Sequence, residues 1–348
     1  MAYTTINKPS DYFSTTIYTG TATQQSVNTG IDMANNGSML WVKDRDGGNN
    51  HNLYDTYMGI DYLIFPSATD AKYASTRLVS FDSTGYTALS TAGVNQNGNR
   101  HVAWNWLAGS SQAGSSNTDG SITSTVSANT TSGFSMVSYT GTGSNATIGH
   151  GLGAVPSLIF VKKLSATSDW ITYSKEVGNT KNIRLNTSEA VDTSSAVWNA
   201  TTPTSSVFSV GTFVDTNGSG ATFVAYCFAE KKGYSKFGSY TGNGNANGPF
   251  VYTGFKPAFI LIRSVSTTNW NMFDSKRSAY NVADETLWSN TTGTEATIGT
   301  TYGIDILSNG FKPRTVSSQV NNNNTQIIYM AFAEQPLVGT NGIPATAR

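Results

Sequence analysis

The chain has 348 residues, enough for two or three domains with hydrophobic cores of their own. Lysine plus arginine and aspartate plus glutamate both number 21, so no global basic field draws in nucleic acid or an anionic membrane. Charged residues are only 12% of the chain, while Ser, Thr and Asn number 41, 48 and 32, so the polar surface is mostly uncharged.

The start, Met1 to Pro9, has neither a basic region nor an apolar one, so no signal peptide is expected and the chain should begin as a cytoplasmic product. The longest apolar runs, such as Leu158 to Val161 and Phe259 to Ile262, fall far short of the ~20 residues of a membrane helix, so no membrane span is expected. A single cysteine, Cys227, excludes an intrachain disulfide framework and any cysteine-based zinc site.

Three internal copies follow one another. Each opens on a strand running into a Gly turn: Ile17-Tyr18-Thr19-Gly20, Ser138-Tyr139-Thr140-Gly141 and Ser239-Tyr240-Thr241-Gly242. Some twenty residues later come apolar strands closed by a cation, Ser38 to Lys43, Pro156 to Lys162 and Pro257 to Arg263. Aromatic strands follow at Asn52 to Asp55, Trp170 to Ser174 and Trp270 to Asp274, and each copy closes on another apolar strand, Val102 to Trp106, Val224 to Glu230 and Ile328 to Glu334.

Short segments rich in Val, Ile, Phe, Tyr, Trp and Thr, separated by Gly, Asn and Ser, predict an all-β fold of three tandem antiparallel β-sandwich domains, jelly-roll or Greek-key-like. The expected organisation is an N-terminal arm over 1–12, repeats over 13–107, 133–232 and 233–335, a Ser/Thr/Gly/Asn-rich linker over 108–132, and a C-terminal arm over 336–348. The arms are poor in core-forming residues, so one or both should dock on a neighbouring subunit. Asn97-Gly98, Asn217-Gly218, Asn309-Gly310 and Asp46-Gly47 suit tight hairpin turns. Ser278 to Leu287 is the best candidate for a short helix.

Candidate sites are few. His51, His101 and His150 lack partners at metal-ligand spacing and suit turns or the surface, so no metal and no cofactor is expected. The six glutamates include Glu230 and Glu334 at one repeat position, which argues for a structural part rather than a glycosidase pair. Asp44-Arg45-Asp46-Gly47 lacks the remaining acids of a calcium loop and reads as a hairpin turn, and Cys227 alternates inside an apolar strand as a small core residue. No catalytic residue is assigned and the chain is expected not to be an enzyme. Trp41, Trp104, Trp106, Trp170 and Trp270 fall at repeated strand positions and should pack. Trp198 and Trp288, outside those strands, remain as surface candidates for glycan or receptor contact.

The segments Gly133 to Gly141, Gly149 to Gly153, Val224 to Glu230, Tyr234 to Tyr240, Val251 to Phe259 and Tyr329 to Glu334 resemble a family of repeat-containing virion structural proteins of marine tailed bacteriophages of the cyanophage type. The resemblance spans most of the chain and is strongest in the second and third copies. It implies a non-enzymatic structural protein, in a tail fibre, a tail-associated assembly or a capsid appendage, made in the host cytoplasm and located in the virion. It also implies other virion proteins as partners, a homo-oligomer or multiple copies per particle, and host-surface adsorption. A carbohydrate-binding adhesin with a host cell-surface glycan as ligand is the alternative, and a polysaccharide depolymerase a more distant one.

Overall fold

The computed structural model describes residues 4–297 and 301–338. Among these the chain is all-β, with short helices at Ser195–Trp198, Val214–Asn217 and Ser318–Asn321 and a 3-10 turn at Pro9–Asp11. Each copy builds the same antiparallel four-strand core, in which the closing strand lies between the first and second strands. In the first copy the order is Phe13–Thr19, Arg100–Leu107, Ser38–Asp44, Asn52–Asp55. The second copy has Phe134–Thr140, Thr222–Phe228, Leu158–Lys163, Trp170–Ser174, and the third Ser235–Thr241, Gln326–Pro336, Phe255–Ser264, Asn271–Asp274.

A smaller sheet accompanies each large one. It comprises Gln25–Asn28, Gly85–Ala88 and Leu78–Asp82 in the first copy, Ala146–Gly149 with Val207–Val210 in the second, and Val251–Tyr252, Gly310–Pro313 and Ile304–Leu307 in the third. The large sheets are buried on both faces, which is why their strands read as unbroken apolar runs rather than alternations. Leu40, Val42, Tyr54 and Ala103 pack with Val27, Leu78 and Tyr86 of their own small sheet. Met39, Trp41, Trp104 and Trp106, on the opposite face, join a different core.

That core is shared by all three copies. It gathers Phe134, Phe160 and Phe228 from the second and Phe259, Leu261 and Phe332 from the third. Trp106, Phe228 and Phe332 occupy one repeat position and touch one another, with ring centroids 6.5, 5.7 and 6.0 Å apart in the three pairings. The copies therefore close around a pseudo-threefold axis.

The Gly turn after each opening strand is fixed by close approach. A Cβ on Gly20, Gly141 or Gly242 would lie 2.0, 2.4 or 2.2 Å from a backbone carbonyl oxygen. An asparagine pins the same turn in every copy. Asn95, Asn217 and Asn321, all fully buried, accept from the backbone N–H of Thr21, Thr142 and Asn243 and donate to the carbonyls of Thr23, Ser144 and Asn245.

Several expectations are corrected. The stretch read as a linker supplies two strands, Ser115–Asn117 and Ser124–Asn129, that extend the second copy's sheet beyond Phe134–Thr140. Val126 is buried there, and Ser124 and Ser127 are buried with their hydroxyls bonded to carbonyls. The expected helix over Ser278 to Leu287 is instead irregular chain with a bridge at Ala283 followed by the strand Glu285–Trp288, because Leu287 and Trp288 pair with Met272 and Asn271 in the third copy's sheet. Asn217-Gly218 ends a short helix rather than turning a hairpin. The described part of the N-terminal arm lies on its own chain: Ile6 enters the shared core and the Thr4 hydroxyl donates to the Lys232 carbonyl. Pro336, placed in the C-terminal arm, pairs with Phe255, and 339–348 lies outside the described residues.

Candidate functional site at the seams between copies

The cations that close the second strand of each copy, Lys43, Lys162 and Arg263, are buried and do one job three times. Lys43 Nζ donates to the carbonyls of Gly47 and Asn49 at 2.9 Å and reaches Thr292 O of the third copy at 3.2 Å. Lys162 Nζ binds Ser168 O at 2.6 Å and Thr69 O of the first copy at 2.9 Å. Arg263 donates to the carbonyls of Arg184, Thr187 and Glu189, all in the second copy. Each copy thus grips the carbonyls of the preceding one around the ring. Burial pushes Lys43 and Lys162 down to about 8 and Arg263 to about 10.

A second ring of contacts runs in the same direction. Trp170 Nε1 donates to Phe65 O and Trp270 Nε1 to Arg184 O, both at 2.9 Å. The first copy has His51 at this position, with Nε2 3.1 Å from Trp288 O. Its Nδ1 accepts from Trp41 Nε1, so Nε2 carries the proton and donates as the indoles do. Burial holds His51 well below its ordinary value and keeps it neutral.

The seam between the first and third copies has no covalent connection, and a buried ion network spans it. Arg45 chelates Glu295 through Nε and Nη2 at 2.9 and 2.5 Å and reaches Glu285 at 3.1 Å. Arg277 joins Glu295 at 3.0 Å to Asp274 at 2.5 Å. The Glu295 side chain is only 1% exposed, so both its oxygens are committed to guanidinium groups out of water.

The seam between the first and second copies opens to solvent as a cleft of about 280 Å³, lined by Tyr57, Lys72, Thr123, Thr125, Ser138, Thr140, Leu164 and Thr222. The Ser138 hydroxyl donates to the Tyr57 hydroxyl at 3.0 Å. Tyr57 and Tyr73 are 40% and 49% exposed, and Lys72 Nζ sits 3.8 Å over the Tyr62 ring. Hydroxyls, one ammonium and open aromatic faces together are groups that hydrogen-bond and stack on a polyhydroxylated ligand.

The residues singled out from sequence are placed differently. Trp198 is 1% exposed and packs edge-on against Tyr173, so it cannot meet a ligand at the surface; its short helix tucks it under the second copy's large sheet. Trp288 is half-buried and donates to Asn271 Oδ1. The three histidines are buried rather than in surface turns, because their ring nitrogens bond within the protein. Cys227 is buried as a core residue and Asp44 to Gly47 forms a hairpin turn between paired strands. Among the described residues no three His, Cys, Asp or Glu gather as metal ligands, and no helix is long and apolar enough to cross a membrane. Tyr57 and Lys72 were missed, since the cleft forms only when two copies meet.

The model of a family described as a domain of unknown function, DUF7483, matches residues 8–336. No curated protein and no solved structure matches the chain.

Proposed function

We propose, for a chain that belongs to the DUF7483 domain family over residues 8–336, that it is a non-enzymatic structural protein of a tailed-bacteriophage particle. In this reading it is three sandwich-like copies acting as one rigid scaffold in a tail fibre, tail-associated assembly or capsid appendage, through contacts with other virion proteins. The supporting observation is the ring closure. All three seams carry buried side chain to carbonyl bonds in one rotational sense, a construction that favours persistence over movement. The low-charge exterior and the resemblance in the repeat segments support it independently. The test is cryo-electron microscopy of the intact particle. Ring-shaped density of this chain on head or tail is expected, and its absence from purified particles would overturn the reading.

A second reading, a carbohydrate-binding adhesin for a host cell-surface glycan, is favoured by the Tyr57 and Lys72 cleft with Tyr62 next to Lys72. Glycan-array binding by the isolated chain that Tyr57→Ala and Lys72→Ala each reduce tenfold or more supports it. An empty array speaks for a scaffold alone.

A further inference from the structure

Repeat positions reveal a deficit at one seam. In the second copy Glu230 is held by Lys175 at 3.1 Å and by Lys236 of the third copy at 2.7 Å. The equivalent carboxylate in the third copy is Glu334, and the positions of those two lysines are taken by Ser275 and by Ser14 of the first copy. At the remaining seam the corresponding pair is Ala108 and Ser135, so no charge is present to be matched. Glu334 alone keeps the carboxylate while both lysines are gone. Lys256 stands 3.5 Å from Oε1, and Oε2 is buried without a partner.

The same seam has a smaller side chain at one packing position. Met136 and Phe237 enter the shared core from the opening strands of the second and third copies, and Thr15 occupies their position in the first. A cleft of about 250 Å³ results, lined by Ser14, Thr15, Ser275, Lys276 and Glu334 among others. Thr15 is only 8% exposed, and its hydroxyl, like that of Ser14, has no hydrogen-bond partner. A buried acceptor left unmatched is destabilising, and a charged one more so, so the cleft favours a donor that carries positive charge.

We infer that this cleft between the first and third copies is a binding site for a primary ammonium group, the end of a lysine side chain supplied by a partner protein. The ammonium takes the place that Lys236 and Lys175 hold around Glu230, donating to Glu334 Oε2 and to the hydroxyls of Ser14 and Thr15. Lys276 at the mouth is exposed and forms no ion pair with Glu334 among the described residues. The inference does not rest on the particle reading, since it follows from the chemistry of the seam.

The test is titration of the full chain with Nα-acetyl-lysine N-methylamide, followed by calorimetry and NMR, with the Nε-acetylated compound as the neutral control. Saturable binding of the amine, with the control at least tenfold weaker, is expected. Glu334→Gln should lower amine affinity tenfold or more, and Ser14→Lys, which restores the internal lysine, should abolish binding while raising Tm. Absence of amine binding to the native chain, equal binding of both compounds, or binding that persists in folded Ser14→Lys would overturn the inference. So would binding that appears only in Lys276→Met, since the chain would then fill its own site.

Discussion

The Tyr226 hydroxyl donates to Asp55 Oδ2 at 2.6 Å, joining the closing strand of the second copy to the aromatic strand of the first. The same positions meet where the first copy contacts the third, as Trp104 Nε1 donating to Asp274 Oδ2 at 3.2 Å. At the third seam the pair becomes Met330 and Ser174. Methionine has no proton to give, and the carboxylate is absent with it. Donor and acceptor have thus been kept or lost together, as expected where a buried carboxylate without a donor is costly.

Removing the donor alone should therefore be worse than removing both. Burial already pushes Asp55 up from its ordinary value, while the Tyr226 hydroxyl and backbone N–H groups hold it down. Tyr226→Phe should cost about 1–3 kcal/mol. Adding Asp55→Ser to Tyr226→Met should cost less than the sum of the single changes, by more than about 0.5 kcal/mol. Denaturant unfolding of Tyr226→Phe and of the four proteins in the Tyr226→Met, Asp55→Ser double-mutant cycle checks both statements.

The buried network across the uncovalent seam predicts a large, salt-insensitive effect. Glu295→Gln leaves Arg45 and Arg277 facing each other without their shared carboxylate, and a loss of about 3–5 kcal/mol is expected. Since these groups lie out of water, the loss should change little between 0.1 and 1 M salt, where an exposed pair would be screened. Tm measured at the two ionic strengths distinguishes the cases.

Three buried histidines set an acid limit. His51, His101 and His150 are each lowered by burial, so the unfolded chain binds more protons than the folded one below about pH 6.5. Their contribution is in place above that pH and is lost as pH falls, at up to about 1.4 kcal/mol per unit for each histidine. Asp55, raised by burial, opposes this with one proton at lower pH. Tm should fall between pH 7 and 5, and His150→Gln should flatten the slope by one proton.

The buried lysines add a term of the same sign at higher pH. Burial pushes Lys43 and Lys162 down to about 8 from an ordinary 10.5, so their contribution to stability rises with pH from about 8. From about pH 9 the trend should flatten and then reverse, because Cys227 and tyrosines such as Tyr86 and Tyr226 ionise in the unfolded chain while burial keeps them neutral in the fold. Lys162→Met should halve the rise, as read from the chemical denaturation midpoint across the pH series.

Composition and spacing alone determined the strand chemistry, the three copies and the cation that closes each second strand, since β-propensity, Gly turns and apolar runs act over a few residues. They also assigned Trp104, Trp170 and Trp270 to packing rather than to ligand contact. What those cations and tryptophans grip was decided only by tertiary structure, because Thr292, Thr69, Phe65 and Arg184 offer backbone carbonyls, which leave no mark in the side-chain pattern. The polar segment over 108–132 became strand rather than linker because an adjacent sheet edge at Phe134–Thr140 satisfied its backbone. The clefts at Tyr57 and Glu334 belong to no single copy. Each forms only where two copies meet, and the one at Glu334 opens where Thr15 stands in place of Met136 and Phe237.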